Sequence, residues 1–236
     1  MGTRSVLTNR TPSASHSLSS SPKGGAKGAS HHNEALELQM SQLKVSMTKI
    51  REEEKEMDKD IAKILITEEQ LRARIAQLGQ ELTAEYEGKF PLIVGVLKGV
   101  VVFYADMVRQ MKVPCQMDFM WISSYTGTDS TGQMVVKRDV SQDIEGRHVL
   151  ILEDIYDTGS SLDFTYHHLL SKNPASLKIC TLLDKPERRK PGITLKPDYV
   201  GFTVPNEFVV GYGLDYNEEY RNLPYVGVLK PEVYSK

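Results

Sequence analysis

The sequence predicts an α/β protein built on a parallel sheet with helices on both faces. Short apolar runs that are typical of strands buried on both faces alternate with helix-like stretches. A chain of 236 residues is long enough to bury one substantial core. In chain order the sequence predicts strand 91–97, helix 100–111, strands 115–123 and 148–152, helix 164–170 and strand 177–183.

The composition limits the partners that we expect. Lys and Arg number 29 and Asp and Glu number 31, which gives a net charge of -2. So small a charge provides no overall attraction for nucleic acid or for a membrane surface. No apolar run reaches the roughly 18 residues that a spanning helix requires. The sequence therefore predicts a soluble protein that binds neither nucleic acid nor membranes.

Cysteine usage bears on the compartment. Cys115 and Cys180 each lie within or beside an apolar run. Two cysteines in a chain of this length indicate free thiols in a reducing compartment rather than a disulfide framework. We therefore expect a cytoplasmic protein. The alternative is an organelle, because residues 1–33 contain no Asp or Glu and are rich in Ser, as transit peptides are.

The sequence predicts that the chain consists of three segments. Residues 1–33 are rich in Ser, Gly and Thr, and a segment of this composition cannot bury a core, so we expect a disordered tail. Residues 34–58 form a charged helical extension, and residues 59–236 form the folded domain. The extension has an apolar stripe at heptad spacing, compatible with a surface helix on the domain or on a neighbouring subunit, or with a short coiled coil. The stripe consists of Leu36, Met40, Leu43, Met47 and Ile50.

The first helix of the domain has a defined start. Thr67 suits the N-cap position and Gln70 the third helical position, which is the pattern of a capping box. Four apolar side chains then recur on one face of the helix, and Gly88 is a suitable end. These four are Leu71, Ile75, Leu78 and Leu82.

Residues 149–162 combine a buried strand, three carboxylates and the start of a helix. The apolar strand is followed by Glu153, Asp154 and Asp157. Small hydroxyl residues and a glycine then stand at the helix N-terminus. Such a turn binds anions, because its backbone N–H groups point at the anion and the helix dipole favours negative charge. The turn consists of Thr158, Gly159, Ser160 and Ser161.

This combination indicates a sugar phosphate as the ligand. Glu153 and Asp154 would repel a phosphate that they touched, but they can accept hydrogen bonds from ribose hydroxyls or lie beside a metal ion. Asp157 would lie between sugar and phosphate, near the reacting carbon. The alternative is an ordinary strand–turn–helix in which these side chains only cap the helix. A Walker-type site is excluded, because the chain has no Gly-x4-Gly-Lys-Ser/Thr stretch.

The same segment resembles the phosphoribosyl pyrophosphate motif of the type I phosphoribosyltransferases, and in particular of their hypoxanthine-guanine branch. The resemblance runs from about Ile64 to Tyr234. It implies a parallel sheet flanked by helices, a small hood subdomain and a mobile active-site loop. Further blocks that agree in order and spacing are residues 97–99, 124–125, 183–185 and 208–216, together with Arg221.

Roles for the donor-binding residues follow from this resemblance. It implies that Glu153 and Asp154 hold the ribose hydroxyls and that residues 158–161 hold the 5′-phosphate. Asp157 is the expected catalytic residue, a general base that takes or shares the proton at purine N7. The loop that begins at Ser124 and Tyr125 would close over the site and exclude water.

The resemblance implies a pyrophosphate site as well. Lys98 and Gly99 lie at a turn that in this family carries a non-proline cis peptide and meets pyrophosphate. Arg221 matches the arginine that contacts the same group. Considered alone, Arg221 could instead be the partner of a surface ion pair.

The resemblance also implies which residues would bind the purine base and the metal ion. Lys185 would donate to the purine 6-oxygen, which selects hypoxanthine and guanine over adenine. Phe208 would stack on the base, and Val209 would offer backbone groups to its edge. Mg²⁺ would be held by Asp215 through water, with Glu153 and Asp154 nearby. Considered alone, Lys185 could be solvated, Phe208 part of the core and Asp215 a turn residue.

The activity implied by the resemblance is transfer of a phosphoribosyl group to a 6-oxopurine, with Mg²⁺ as cofactor and a homodimer or homotetramer as the assembly. Two other functions are compatible with such a fold. A nucleotide-sensing regulator that binds RNA should have a basic face, and the balance here is slightly acidic. An enzyme for adenine or uracil should lack the Leu-Asp-Lys turn paired with a Phe-Val-Val-Gly-Tyr strand.

Overall fold

A computed structural model describes residues 36–49, 58–124 and 134–235. The chain divides into two units, Met1–Glu54 and Lys55–Lys236, which are described separately. In the first unit residues 36–49 form helix α1, in agreement with the predicted helical extension. Ile50 and the predicted tail lie outside the described residues, and the domain boundaries stay predictions.

The second unit contains nine strands and four α-helices within its described residues. In chain order these are β1 (Ile61–Ile66), α2 (Glu68–Glu85), β2 (Leu92–Leu97), α3 (Val101–Gln110), β3 (Gln116–Ser124), β4 (Met134–Arg138), β5 (His148–Tyr156), α4 (Ser160–Leu170), β6 (Ser176–Asp184), β7 (Tyr199–Thr203), β8 (Val209–Val210), β9 (Val226–Leu229) and α5 (Pro231–Tyr234). A short 3₁₀ helix, Pro186–Arg188, follows β6.

Six strands form the main sheet in the order β4-β3-β2-β5-β6-β7. All neighbouring pairs are parallel except β3 and β4. Helices cover both faces of the sheet. Successive residues of a buried strand point to opposite faces, so neighbours in one strand pack against different helices. Ile93 packs with the apolar side chains of α2 and α3, whereas Val94 packs with Leu162 and Leu169 of α4. The predicted fold class is thus confirmed.

A smaller antiparallel sheet, in the order β1-β9-β8, forms the hood that the family resemblance implied. Its own apolar cluster consists of Val210, Tyr220, Leu223 and Leu229. β9 is followed directly by α5, so the C-terminal helix is attached to the hood.

The predicted start of α2 is confirmed. The Thr67 hydroxyl accepts from the Gln70 N–H at 3.3 Å, and the Gln70 side chain accepts from the Thr67 N–H at 2.8 Å. The predicted apolar face is buried. The helix ends earlier than expected, at Glu85, and Gly88 lies in the turn that follows with φ 73°.

The strand that carries the acids is four residues longer than predicted. The expected strand 148–152 continues to Tyr156 as β5, so Glu153 and Asp154 lie within it rather than after it. The extension occurs because β6 pairs with β5 as far as Tyr156 and Asp184. No helix in the described part of the chain is both long and apolar enough to span a membrane.

Candidate active site

The predicted site residues converge at the carboxyl ends of three neighbouring parallel strands. β2 ends at Leu97, β5 at Tyr156 and β6 at Asp184. Ligands of open parallel sheets bind outside this edge. The order β2-β5-β6 therefore brings the predicted pyrophosphate, ribose and base residues to one place, although they are far apart in sequence.

Glu153 is a buried acid with an unsatisfied oxygen. Its Oε2 has no hydrogen-bond partner among the described residues. Burial, and secondly the charge of Asp154, raise the pKa of Glu153 well above its ordinary value. A buried polar atom without a partner is costly, so this oxygen is suited to a ligand hydroxyl or cation.

Asp154 faces the turn after β2. A Cβ built on Gly99 would lie 1.7 Å from Asp154 Oδ2, so the carboxylate lies directly against the glycine. Its Oδ1 accepts from the Ile155 N–H at 2.8 Å. The pKa of Asp154 is raised to about 6, chiefly by burial and in small part by Asp215, while backbone hydrogen bonds and Arg221 act in the opposite direction.

The proposed phosphate turn lies between β5 and α4. Gly159 is the residue before the helix, with φ 90°, and no side chain within the described residues caps the helix. The first N–H groups of a helix have no carbonyl partner inside it, so those of α4 can bind an anion. A Cβ on Gly159 would lie 2.9 Å from Ile193 Cγ2, which makes glycine the residue that fits.

Arg189 supports this turn from the side of β6. Its guanidinium donates to the Tyr156 carbonyl at 3.0 Å and to the Asp157 carbonyl at 2.7 Å. It pairs with the Asp184 carboxylate and lies 3.1 Å from the centre of the Tyr156 ring. Sequence reasoning missed this residue, because it stands in a run of basic residues and nothing in the run identifies the one that turns inward.

Asp157 and Lys185 directly follow the neighbouring strands β5 and β6. The Asp157 carboxylate pairs with Arg188 Nε at 3.3 Å. Lys185 is buried, and its Nζ donates to the Glu207 carbonyl at 2.8 Å. Burial lowers the pKa of Lys185, while Asp157 acts in the opposite direction. The buried position argues against the alternative of a solvated lysine.

A cavity of about 450 Å³ joins these residues to the hood. Its walls include Asp154, Asp157, Lys185, Phe208, Val209, Asp215 and Tyr234. Phe208 lies on this cavity and keeps 37% of its surface exposed, so it is not a core residue. Tyr234 was not among the predicted site residues, because its place depends on the pairing of β8 with β9.

The predicted pyrophosphate residues form an ion-pair cluster. The peptide bond between Leu97 and Lys98 is cis, as the family resemblance implied. Lys98 Nζ lies 3.0 Å from the Glu218 carboxylate, and Arg221 lies 3.3 Å from the same oxygen. Arg221 also pairs with Asp215 at 2.8 Å, and its buried Nε has no partner among the described residues.

The predicted active-site loop lies almost entirely outside the described residues. Ser124 is the last residue of β3, and its side chain and the segment from Tyr125 to Gln133 lie outside the described residues.

The carboxylates are compatible with Mg²⁺ but do not form a complete metal cage. Within the described residues no group of three or more His, Cys, Asp or Glu side chains is placed to hold a metal ion. Mg²⁺ usually retains several waters and is bound by one or two carboxylates together with substrate phosphates. Asp154 and Asp215, whose charges influence each other, fit that sparse pattern.

Fold and site together define an α/β protein with buried carboxylates and an anion-binding turn at the carboxyl ends of its parallel strands. Comparison with known proteins agrees. The Phosphoribosyl transferase domain model matches residues 62–217. A hypoxanthine-guanine phosphoribosyltransferase of Lactococcus lactis is 53% identical over 184 residues, which are 78% of this chain and 99% of that protein.

A crystal structure of a hypoxanthine phosphoribosyltransferase from Staphylococcus aureus matches with a TM-score of 0.72 and 48% identity. The match covers 76% of this chain and 97% of the chain in the crystal structure. The bifunctional protein TilS/HprT of Listeria innocua is 52% identical over 181 residues, which are 76% of this chain but only 28% of that longer protein. The chain belongs to the phosphoribosyltransferase family, in its hypoxanthine-guanine branch.

Proposed function

We propose that the protein transfers the 5-phosphoribosyl group of phosphoribosyl pyrophosphate to N9 of hypoxanthine or guanine, giving IMP or GMP and pyrophosphate in purine salvage. The observation that supports this most directly is the shared cavity. A buried lysine, an aromatic ring and an acid line it together, and these are Lys185, Phe208 and Asp157. The family to which the chain belongs supports the same activity.

In this proposal the base lies on Phe208 and is selected at its 6-position. Lys185 is a donor only, so it attracts a 6-oxo group and disfavours the amino group of adenine. Its Nζ already lies close to a carbonyl, that of Glu207, at 2.8 Å. The backbone of Val209, on the same cavity, would meet the other edge of the base.

The donor would lie across the ends of β2 and β5. The turn of residues 158–161 holds its 5′-phosphate, and Glu153 and Asp154 hold the ribose hydroxyls. Lys98, Gly99 and Arg221 receive the departing pyrophosphate, whose negative charge grows as its bond to the sugar breaks.

Asp157 would act on the base as the new bond forms. Positive charge develops on the ribose ring as pyrophosphate leaves, as in glycoside cleavage. Asp157 takes or shares the proton at purine N7 while N9 attacks the anomeric carbon. The loop that starts at Ser124 and Tyr125 closes and keeps water from the donor.

Mg²⁺ is the proposed cofactor, with Asp215, Asp154 and Glu153 as the residues beside it. When bound, it would neutralise charge on the pyrophosphate of the donor. We further propose a homodimer or homotetramer and a cytoplasmic location, with an organelle as the alternative. Light scattering, which gives the mass of the full chain in solution, tests the oligomeric state. Imaging of the tagged chain in its own cell tests the location.

A base-substitution assay tests the activity. The full chain is incubated with phosphoribosyl pyrophosphate, Mg²⁺ and one purine at a time, and the nucleotide and pyrophosphate are measured by chromatography. We expect IMP from hypoxanthine and GMP from guanine, with adenine giving at least about tenfold less product, since a mismatched donor at one buried contact costs that much or more. Equal turnover of adenine, or no nucleotide from any base, would refute the proposal.

A further inference from the structure

The C-terminal helix places a second aromatic ring beside the proposed base pocket. Tyr234 stacks on Phe208 with ring centroids 4.9 Å apart and an interplanar angle of 21°. The Phe208 ring also meets Tyr216 edge-on, at 5.6 Å and 88°. Phe208 is therefore held by two other rings, and Tyr234 lines the same cavity as Lys185.

The position of Tyr234 is fixed by the hood. Val233 and Tyr234 pack against the hood cluster that contains Leu229. The Leu229 N–H donates to the Phe208 carbonyl at 2.9 Å, so the strand that leads into α5 is bonded to Phe208 itself. Within α5, the Val233 N–H donates to the Lys230 carbonyl at 3.0 Å.

Two roles are conceivable for a ring stacked on Phe208: it could occupy the place of the base, or it could support Phe208 from behind. A ring that must leave before the base enters should be weakly held. Tyr234 is instead anchored by packing, and Phe208 keeps 37% of its surface exposed with Tyr234 in place. The anchoring favours support.

We propose that Tyr234 is a positioning residue of the base pocket, which backs Phe208 so that Tyr234, Phe208 and the purine form one continuous stack. This inference rests on the proposed function and deepens it. Offset-stacked rings attract each other beyond the area that they bury. Holding Phe208 in its stacking plane before the base arrives lowers the ordering cost of binding.

Substitutions in the full chain test this role. In Tyr234→Leu the ring is lost, and we expect the KM for hypoxanthine and for guanine to rise about two- to tenfold, the range for one aromatic pair. The KM for phosphoribosyl pyrophosphate should stay within about twofold, because the stack meets only the base. Tyr234→Phe keeps the ring and should behave as the wild type does.

Glu232→Ala is the matched control, because it changes an exposed residue of the same helix without removing a ring or the packing that anchors Tyr234. We expect it to leave the KM for the base unchanged. Deletion of residues 234–236 provides a second variant that lacks the ring, and thermal melting checks that each variant is folded. The same loss in Glu232→Ala as in Tyr234→Leu would overturn the proposal, and so would an unchanged or lowered KM for the base in Tyr234→Leu.

Calorimetric titration with GMP separates this inference from the proposed reaction. An inactive wild-type protein that binds GMP, and binds it more weakly after Tyr234→Leu, would refute the proposed reaction and support the stack. An active wild-type protein whose affinity for GMP is unaffected by Tyr234→Leu would refute the stack and leave the reaction standing.

Discussion

The carboxylate of Asp154 lies directly against Gly99. A Cβ on this glycine would lie 1.7 Å from Asp154 Oδ2, far inside van der Waals contact. Gly213, which follows β8 of the hood, also lies close to this turn, because a Cβ on Gly213 would lie 2.0 Å from the Gly99 carbonyl oxygen. The turn after β2 is thus enclosed between the acid of β5 and the hood.

Gly99→Ala is expected to impair donor binding without unfolding the domain. The new methyl group must displace either Asp154 or the turn, and a displacement of about 1 Å at a site can cost roughly a hundredfold in rate. We expect kcat/KM for phosphoribosyl pyrophosphate to fall by about ten- to a hundredfold in steady-state assays. Gly146→Ala is the control for backbone strain, because its φ is 68° but a Cβ there meets nothing within 4 Å, so it should affect stability and leave donor binding unchanged. Full activity in Gly99→Ala would show that the contact has no functional importance.

Glu218 competes for the cations that are proposed to bind pyrophosphate. Its carboxylate lies 3.0 Å from Lys98 Nζ and 3.3 Å from Arg221, and these pairs lower its pKa. In the proposed function, pyrophosphate binding by Lys98 and Arg221 breaks both ion pairs with Glu218. We therefore expect Glu218→Gln to lower the KM for phosphoribosyl pyrophosphate by about two- to threefold, as suits exposed pairs, and less so at high salt.

Glu219→Gln is the neighbouring control for this prediction. Glu219 is exposed and makes a backbone hydrogen bond to Tyr216. The two variants change the net charge equally, so a general electrostatic effect would lower the KM in both. An increase in KM after Glu218→Gln would mean that Glu218 orders Lys98 and Arg221 for binding.

Local patterns predicted the central part of the site, because its residues are continuous in sequence. The strand, the turn at Gly159 and the helix that follows lie within one short segment, and each has its own chemical signature. The hood strands lack such a signature. β8 has only two residues, Val209 and Val210, and exists because β9 pairs with it across an interval of the chain.

Long-range packing also explains which side chains were missed. Arg189 stands among several cations, and only the junction of β5 and β6 turns it toward the Asp157 carbonyl. Tyr234 reaches Phe208 through the pairing of β8 with β9. Neither relationship leaves a periodic or compositional trace in the sequence.

Asp157→Asn is expected to reduce turnover much more than donor binding. The amide keeps the shape of the side chain but cannot accept the N7 proton. General-base catalysis contributes about a hundredfold or more, so we expect kcat to fall by that factor. The KM for phosphoribosyl pyrophosphate should change by less than about threefold. Asp163→Asn, in the first turn of α4, is the control, and equal losses in kcat and donor affinity would contradict a general-base role.

Asp154→Asn should raise the stability of the protein at neutral pH while lowering its activity. Burial raises the pKa of Asp154 from 3.8 to about 6, so keeping it ionised costs folding free energy above pH 6. The cost fades as the pH falls through 6 and is absent below 4. We expect a gain on the order of 1 kcal/mol, or about 2–4 °C in Tm at pH 7.5. Melting curves at pH 7.5 and 4 test this, and an equal gain at both would exclude ionisation as its cause.

Arg189→Lys tests whether the phosphate turn depends on a guanidinium. Arg189 donates to two carbonyls, those of Tyr156 at 3.0 Å and Asp157 at 2.7 Å, pairs with Asp184 and covers the Tyr156 ring. Lysine retains the charge but not the planar fork that meets these partners together. We expect kcat/KM to fall by about tenfold or more, since a loosened turn misplaces Asp157.

Arg188→Lys is the adjacent control, because the Arg188 side chain pairs with the Asp157 carboxylate at 3.3 Å, whereas that of Arg189 bonds the backbone of the turn. Its kcat/KM should remain within about threefold of the wild type, as suits an exposed ion pair. Similar losses in the two variants would show that positive charge near Asp157 matters more than the hydrogen bonds of Arg189. An Arg189→Lys protein with normal kcat/KM and normal Tm would show that the turn keeps its shape without the guanidinium.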